Sequence, residues 1–245
     1  MNFLAVIPAR HASTRFPGKP LASIAGLPMI QRVYTRVKEA DVCNKVVVAT
    51  DDERIAAVVR DFGGDVIMTS EDCTNGTVRC HQAVELLEAQ GHTFDAVLNI
   101  QGDEPFVHPD QIRQLADLLR KPDAAVVTLA KSMSADPEIH SPHRVKVVRN
   151  MKGRALMFSR SPLPHGNGPW LQHVGLYGFT RTALEALVQL SPTPLEQRER
   201  LEQLRWLDHG WRIDVGTTPH LTPAVDTPED LLAIEAKIAD GDLLG

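Results

Sequence analysis

Three cationic side chains, Arg10, Arg15 and Lys19, lie within a short segment near the N-terminus that also contains glycine and proline. The segment, residues 8–21, directly follows the apolar run 3–7. Guanidinium and ammonium groups bind phosphate oxygens, and α/β sheets present ligands in the loops that follow their strands. The segment matches neither the Walker pattern nor the dinucleotide fingerprint. It therefore predicts a phosphate-binding loop of another type, with a solvated basic loop as the alternative.

Two aspartates are candidates for binding a hard cation. Asp103 follows the apolar run 96–100, and Asp226 lies near the far end of the sequence. Mg²⁺ prefers one or two carboxylates together with phosphate and water ligands. Each residue also has a purely structural interpretation, because Asp103 can form a turn and Asp226 can cap the last helix.

Composition excludes several classes of protein. The formal net charge of −5 argues against a dedicated nucleic-acid binder but leaves room for a local anion site. The three cysteines form no CxxC pair, which argues against a disulfide framework or a structural zinc site and favours a reducing, cytoplasmic setting. No apolar run approaches the roughly 18 residues of a membrane span, and residues 3–7 are too short for a signal core.

Strands and helices alternate in the first half of the sequence. Hydrophobic patterning predicts strands at 3–8, 45–50, 66–69, 96–100 and 124–130. It predicts helices at 29–40, from Asp51 or Asp52 to 62, at 77–90 and at 109–120. This order predicts an α/β fold with a three-layer, mostly parallel (mixed) sheet and ligand loops at the carboxyl ends of the strands.

The second half is less regular. Strands are predicted at 145–148 and 155–158 as a hairpin turning near Gly153, and at 173–179. Helices are predicted at 182–190, 195–209 and 228–239. Because no repeat, low-complexity tract or linker interrupts the chain, we expect a single domain, 1–245, with a smaller excursion around 131–180.

The string PAR-x-x-S-x-R-x-PGKPL at residues 8–21 resembles the nucleotide-binding signature of the sugar-nucleotide cytidylyltransferases, and among them the 3-deoxy-manno-octulosonate (KDO) cytidylyltransferases. Further strings agree in order from residue 3 to about 235. They include ATD at 49–51, NIQGDEP at 99–105, FSR at 158–160, HVGLYG at 173–178, LEQLR at 201–205 and VDTPED at 225–230. A collinear set of this length is far more specific than any one string.

The resemblance implies roles for the candidate residues. Nucleotide binding would fall to Arg10, Ser13, Arg15, Lys19, Gly76, Thr77 and Arg79, and sugar binding to Gln101, Arg160, His173, Tyr177, Glu202 and Gln203. Asp103 and Asp226 would hold Mg²⁺, while Arg15 and Lys19 would stabilise the departing pyrophosphate. Arg160 suits a sugar carboxylate, because guanidinium binds carboxylate in bidentate fashion. Without the resemblance, Glu202 and Gln203 would be interpreted as an exposed helical surface.

The implied reaction is attack by the anomeric hydroxyl of KDO on the α-phosphate of CTP, which yields CMP-KDO and pyrophosphate for lipopolysaccharide assembly. The resemblance also implies a cytoplasmic homodimer, with the 131–180 excursion contributing to sugar binding and dimerisation. Two alternatives remain at this point: a related acidic sugar (amino-substituted KDO or sialic acid), or a non-catalytic nucleotide-binding module.

Two features depart from the family pattern. The family usually has Ser-Gly-Thr, then Asp or Glu, then Arg, whereas this chain has Asn75-Gly76-Thr77-Val78-Arg79. The acid beside the arginine is therefore missing, which affects the loop expected near the base. The loop at 162–172 is also shorter, which affects the expected sugar selectivity and lid closure.

Overall fold

The structure is a computed structural model that describes residues 1–12, 16–133, 137–220, 223, 225 and 227–240. Ser13, Arg15 and Asp226, three of the predicted site residues, lie outside the described residues. The chain divides into two compact units, which we call the first unit (1–113 with 222–245) and the second unit (114–221). The 131–180 excursion of the sequence analysis falls inside the second unit.

The described residues of the first unit form six strands: β1 (Phe3–Ala9), β2 (Ser23–Ile24), β3 (Leu27–Pro28), β4 (Lys45–Thr50), β5 (Val66–Met68) and β6 (Ala96–Asn99). Its helices are α1 (Met29–Glu39), α2 (Glu53–Asp61), α3 (Gly76–Glu88) and α8 (Pro228–Ala239), and α4 (Pro109–Leu119) begins in it. Within this unit the strands run in the order β6-β1-β4-β5 with every pairing parallel, while β2 and β3 form a separate hairpin. Residues 3–7 of β1 are fully buried, as expected of a parallel strand covered on both faces.

The carboxyl ends of β1 and β6 are held close together. The Ile100 amide donates to the Val6 carbonyl at 3.0 Å, just beyond the register pair Val6–Asn99. Two residues later, a Cβ on Gly102 would lie 2.8 Å from the Pro8 carbonyl oxygen. Only glycine fits this close backbone approach, so the loop after β6 runs directly beside the end of β1.

Sequence patterning predicted the first unit well. Each predicted strand and helix is confirmed, with ends that differ by at most two residues. Asp52 rather than Asp51 caps α2, with its Oδ1 accepting from the Arg54 amide at 2.9 Å. The short β2–β3 hairpin was not predicted.

The second unit contains β7 (Val126–Met133), β8 (Lys146–Arg149), β9 (Ala155–Ser159), β10 (Trp170–Thr180) and β11 (Ile213–Thr217). Its helices are α5 (Arg181–Leu187), α6 (Pro194–Glu199) and α7 (Gln203–Asp208). Strand β7 pairs parallel with β11 and antiparallel with β10, and β10, β8 and β9 continue antiparallel. The predicted α/β class with a mixed sheet is confirmed. None of the helices within the described residues is long and apolar enough to cross a membrane.

One prediction for the second unit is wrong, and one of its strands was missed. The single helix predicted at 195–209 is two helices, because Arg200 adopts a left-handed conformation (φ 55°) that ends α6. Glu202 therefore precedes α7 and Gln203 opens it, so they are not neighbours inside one helix. Strand β11 was not predicted, since its apolar alternation is carried by Ile213 and Val215 alone.

Candidate active site

A cavity of about 340 Å³ lies in the first unit, where the chain leaves β1 and β6; we call it the Lys19 cavity. Its lining includes Arg10, Lys19, Asn75, Gly76, Arg79, Gln101 and Asp103. Four of the predicted nucleotide-binding residues therefore meet at one cavity, although they come from two separate parts of the sequence. Thr77 follows Gly76 in the first turn of α3 and is buried.

Lys19 and Asp103 form an ion pair across this cavity. The Lys19 ammonium donates to Asp103 Oδ2 at 2.8 Å, and the two side chains are 12% and 32% exposed. Lys19 is placed by Gly18, whose left-handed backbone (φ 73°) directs its amide to the His11 carbonyl at 3.0 Å. A predicted phosphate-binding cation thus compensates the charge of a predicted metal-binding carboxylate.

The backbone of Asp103 also contacts the segment that precedes α8. The Val225 amide donates to the Asp103 carbonyl at 3.1 Å, and the Val225 side chain is fully buried against Ile24 and Met29. Asp226 is the next residue in the sequence. The fold therefore brings the neighbour of one predicted metal ligand to the other, across more than half of the chain.

The N-cap of the last helix, α8, is Thr227. Its hydroxyl accepts from the Asp230 amide at 3.2 Å, and the Asp230 carboxylate accepts from the Thr227 amide at 2.9 Å. This reciprocal capping box satisfies the Thr227 and Asp230 amides. The helix therefore has its cap one residue after the predicted one, and Asp226 itself lies outside the described residues.

The N-terminal end of α3 faces the Lys19 cavity through Asn75 and Gly76. Asn75 is the N-cap, with its Oδ1 accepting from the Val78 amide at 2.9 Å. A Cβ on Gly76 would lie only 3.4 Å from Pro8 and 3.5 Å from Gln101. Backbone amides at the start of a helix attract anions, so this helix end suits a phosphate or a carboxylate.

Arg79 is oriented by two residues that follow parallel strands. Its guanidinium donates at 2.6 Å to the carboxylate of Asp51, directly after β4, and at 2.6 Å to the hydroxyl of Thr69, directly after β5. Arg79 is only 3% exposed. The acid that the family pattern places at position 78 is thus not needed to hold this guanidinium.

Cys73 also lines the Lys19 cavity, and sequence reasoning assigned it no role. Its thiol contacts the side-chain oxygen of Gln82 at 3.3 Å. Burial raises the pKa of the Cys73 thiol, so it remains protonated at neutral pH. It acts here as a small wall residue.

His173 and Tyr177 lie on β10 in the second unit, with ring centroids 5.4 Å apart. The Thr128 hydroxyl lies 2.7 Å from the Leu176 carbonyl and 3.0 Å from His173 Nε2. Because that hydroxyl has one proton to donate, to the carbonyl, Nε2–H donates to Thr128 and Nδ1 is left as an acceptor. Burial lowers the pKa of His173 to about 3, so the ring is neutral at physiological pH.

The Tyr177 hydroxyl is buried and has no hydrogen-bond partner among the described residues. Its ring packs edge-on against Trp206, with centroids 5.1 Å apart. Burial, and secondarily the charge of Glu202, raise the pKa of Tyr177 well above its usual value. A protonated, unpartnered phenol is an unsatisfied donor that a ligand oxygen can satisfy.

The Arg160 guanidinium donates hydrogen bonds to three backbone carbonyls. Its Nε donates to Glu199 at 2.9 Å, and its two terminal nitrogens donate to Pro142 at 2.8 Å and Arg200 at 3.4 Å. Since a guanidinium has five N–H groups, two remain for a ligand. The role of Arg160 in binding a sugar carboxylate stays a prediction, and its structural role is to fix the junction between α6 and α7.

Lys146, which sequence reasoning missed, supports the same region. It is fully buried, and its ammonium donates to the carbonyls of Ser141, Arg144 and Arg160 at 3.1, 2.6 and 2.5 Å. Burial lowers the pKa of Lys146. Its position in a β-branched run, VKVV, gave no sign of this role.

The predicted sugar-binding residues fall in both units. His173, Tyr177, Arg160, Glu202 and Gln203 belong to the second unit, and Gln203 is 5% exposed at the start of α7. Gln101 instead lines the Lys19 cavity in the first unit, where its amide donates to Asn99 Oδ1 at 3.2 Å.

Comparison with known proteins gives consistent matches along the chain. The cytidylyltransferase family model matches residues 4–213. A 3-deoxy-manno-octulosonate cytidylyltransferase of Parabacteroides distasonis is 45% identical over 245 residues, covering 94% of this chain and 96% of that protein. The protein of the same name from Myxococcus xanthus is 48% identical over 239 residues, covering 95% of each chain.

A solved structure of CMP:2-keto-3-deoxy-manno-octonic acid synthetase complexed with CTP superposes with a TM-score of 0.91. It is 40% identical and covers 98% of this chain and 100% of its own. The chain therefore belongs to the cytidylyltransferase family, in the group named for 3-deoxy-manno-octulosonate.

Proposed function

We propose that this chain transfers CMP from CTP to 3-deoxy-manno-octulosonate and releases pyrophosphate, as the names of its relatives describe. The observation that carries the proposal is the match over nearly the whole chain, at 42–48% identity, to proteins of that name. The product is an activated acidic sugar, which serves lipopolysaccharide assembly.

The Lys19 cavity is the proposed CTP site. Its volume of about 340 Å³ is within the usual range for a small-molecule site. Lys19 and Arg10 supply cations, and α3 supplies backbone amides for phosphate oxygens. Arg79, fixed by Asp51 and Thr69, presents a rigid guanidinium toward the base and ribose. Ser13 and Arg15 keep their proposed contacts with the triphosphate.

Asp103 and Asp226 are the proposed Mg²⁺ ligands. Two observations support this pair: Val225 is bonded to the Asp103 carbonyl, and Thr227 has taken the capping role. Bound Mg²⁺ neutralises charge on the nucleotide phosphates. The Lys19 ammonium pairs with Asp103, and we assign Lys19 to the oxygens of the departing pyrophosphate.

The residues proposed to bind the sugar are those that the family resemblance implies: Gln101, Arg160, His173, Tyr177, Glu202 and Gln203. Tyr177 offers a hydroxyl donor and His173 Nδ1 an acceptor. With a pKa near 3, His173 is a weak base and is assigned a positioning role. The anomeric hydroxyl attacks the α-phosphorus, one P–O bond forms as the bond to pyrophosphate breaks, and alignment supplies most of the rate.

The test is pyrophosphate release measured with CTP, Mg²⁺ and a panel of acidic sugars, and with the four NTPs in turn. The proposal expects CTP with KDO to be the preferred pair. Higher turnover with sialic acid or an amino-substituted KDO would reassign the sugar, and no release with any sugar would indicate a nucleotide-binding module. A cytoplasmic homodimer remains part of the proposal, and sedimentation of the purified chain tests the oligomeric state.

A further inference from the structure

A second, larger cavity of about 850 Å³ lies entirely within the second unit; we call it the Arg149 cavity. It is lined by the β8–β9 hairpin, by β11, and by Leu118, Lys121 and Pro122 at the end of α4. No lining residue is shared with the Lys19 cavity, and the proposed function assigns it no role.

Three arginines converge on β11 within this cavity. Arg149 donates to the Val215 carbonyl at 2.7 Å and to the Thr217 hydroxyl at 2.8 Å. Arg212 and Arg154 approach the same carboxylate, that of Asp214, at 3.2 and 3.9 Å. The Asp214 carboxylate is therefore shared by the Arg212 and Arg154 guanidiniums, whereas the Arg149 guanidinium contacts only neutral acceptors.

Two lysines add to this charge. Lys121 and Lys152 both line the cavity, both are exposed, and neither has an ion-pair partner among the described residues. The lining thus holds five cationic side chains and one carboxylate, a formal excess of four positive charges. In a chain of net charge −5, this concentration of one sign creates a local field that attracts anions.

The positions of the arginines are fixed by the fold. The Val215 amide donates to the Gly153 carbonyl at 2.7 Å, and Arg154 and Asp214 form an isolated antiparallel bridge. The hairpin turn is therefore held against β11. Folding already brings these like charges together, so the electrostatic repulsion between them does not have to be overcome again when a ligand binds.

We propose that the Arg149 cavity binds a small anion that carries two or more phosphate groups. Guanidinium forks match phosphate oxygens in bidentate fashion, and an excess of four charges exceeds what a single carboxylate or monophosphate can balance. The lining also includes the apolar residues Val147, Met151 and Leu171, which suit an apolar or planar body attached to those phosphates.

The experiment measures binding of inorganic tripolyphosphate to the full-length chain by calorimetry at low salt, without sugar. We expect two sites per chain in the wild type, one in each cavity. The variant Lys121→Glu/Lys152→Glu reduces the formal excess in the Arg149 cavity from four to zero, and should weaken one of the two sites by roughly 100-fold. Lys19→Ala should weaken the other site.

A matched control is Lys38→Glu/Lys237→Glu, which changes net charge equally at exposed positions outside both cavities. It should keep both sites. The proposal is overturned if the control variant also loses the site that Lys121→Glu/Lys152→Glu weakens. It is likewise overturned if the wild type binds a single tripolyphosphate and Lys19→Ala abolishes that binding. An altered sedimentation coefficient in Lys121→Glu/Lys152→Glu, with both sites intact, would instead mark the cavity as a contact between chains. Retained turnover with CTP in Lys121→Glu/Lys152→Glu separates loss of the Arg149 cavity site from failure of the proposed function.

Discussion

Arg79 and Asp51 form a buried ion pair at 2.6 Å, although 28 residues separate them in the sequence. Asp51 follows β4 and Arg79 lies in the first turn of α3, so the pair joins the helix to the carboxyl end of the parallel sheet. Asn75, the other unusual residue of this loop, caps α3 through its side chain, and its carbonyl accepts from the Arg79 amide at 3.2 Å, but none of its described hydrogen bonds goes to the Arg79 guanidinium. The chain thus holds the Arg79 guanidinium through Asp51 and Thr69, with a valine at position 78.

Val78→Glu should therefore leave CTP affinity unchanged within about twofold, because the arginine already has a charged partner. Asp51→Asn should weaken CTP binding by about 10- to 100-fold, since a misplaced guanidinium loses its alignment. It should also lower the free energy of unfolding by about 3 kcal/mol, because it leaves a buried charge unpaired. Calorimetric titration with CTP and thermal melts measure the two effects. An improved CTP affinity in Val78→Glu would show that Asp51 does not compensate for the missing acid.

The metal assignment predicts different results at two adjacent positions. Asp226→Asn should reduce turnover by about 10²–10³ through loss of half the protein charge on Mg²⁺, with little change in melting temperature. Thr227→Ala should do the reverse, costing about 1 kcal/mol of stability through loss of the N-cap. Asp103→Asn should resemble Asp226→Asn, and the double variant should cost less than the product of the two.

The readout is pyrophosphate release against Mg²⁺ concentration, with a melting curve for each variant. Normal turnover and normal Mg²⁺ dependence in folded Asp226→Asn would remove it from the metal site. Thr227→Ala is the matched control, because it perturbs the same turn without removing a carboxylate.

Arg160→Ala should affect both the sugar and the fold. Its two remaining N–H groups predict a rise of roughly 10- to 150-fold in the KM for KDO, with CTP binding measured without sugar unchanged. Its three bonds to carbonyls predict a measurable loss of stability. Lys146→Met serves as the comparison, since it removes three carbonyl contacts in the same region and offers nothing to a ligand. An equal rise in KM in both variants would show that Arg160 acts through structure alone.

Sequence patterning could predict the elements whose signals are local. Strand β1 is a continuous apolar run, and Pro228 marks the start of α8. It could not predict the break at Arg200, because a left-handed residue inside a helix-forming run depends on the packing of its neighbours. Nor could it choose between Asp226 and Thr227 as the cap, since both residue types cap helices equally well.

The candidate site also combines features that the sequence could predict with features that it could not. The types of residue were predictable, because cations, glycines and carboxylates occur at strand ends in a family pattern. Their pairings were not, since the Lys19–Asp103 and Arg79–Asp51 contacts join distant parts of the sequence. The use of Arg160 and Lys146 to hold backbone carbonyls depends on loops whose paths no periodicity specifies.

His173 predicts a pH dependence of stability. Burial lowers its folded pKa to about 3, whereas the unfolded side chain titrates near 6.5. The unfolded state therefore binds a proton first, so stability is full above pH 6.5 and falls as the pH drops toward 3, by at most about 1.4 kcal/mol per unit. His173→Gln should flatten this dependence between pH 6.5 and 4. Melting temperatures across that range provide the measurement. The folded pKa of Asp52 is lowered to about 2, mainly by its hydrogen bond with Arg54. The stability that this carboxylate contributes is therefore full above about pH 3.8 and is lost only as the pH falls below that value.

Tyr177→Phe gives the sharpest separation between binding and folding. The Tyr177 hydroxyl is buried and has no partner among the described residues, so removing it takes away no internal hydrogen bond. Deleting an unsatisfied buried hydroxyl should leave stability unchanged or raise it slightly, while the ring keeps its packing against Trp206. If the hydroxyl donates to the sugar, the KM for KDO should rise by about 10-fold, which corresponds to one lost hydrogen bond of about 1.4 kcal/mol. Steady-state kinetics in KDO and in CTP, together with a melting curve, measure both effects. Trp206→Phe is the matched control, since its indole nitrogen is also buried without a partner but belongs to no predicted contact with the sugar. A normal KM for KDO in a stable Tyr177→Phe protein would exclude this hydroxyl from sugar binding and leave its burial without a functional reason.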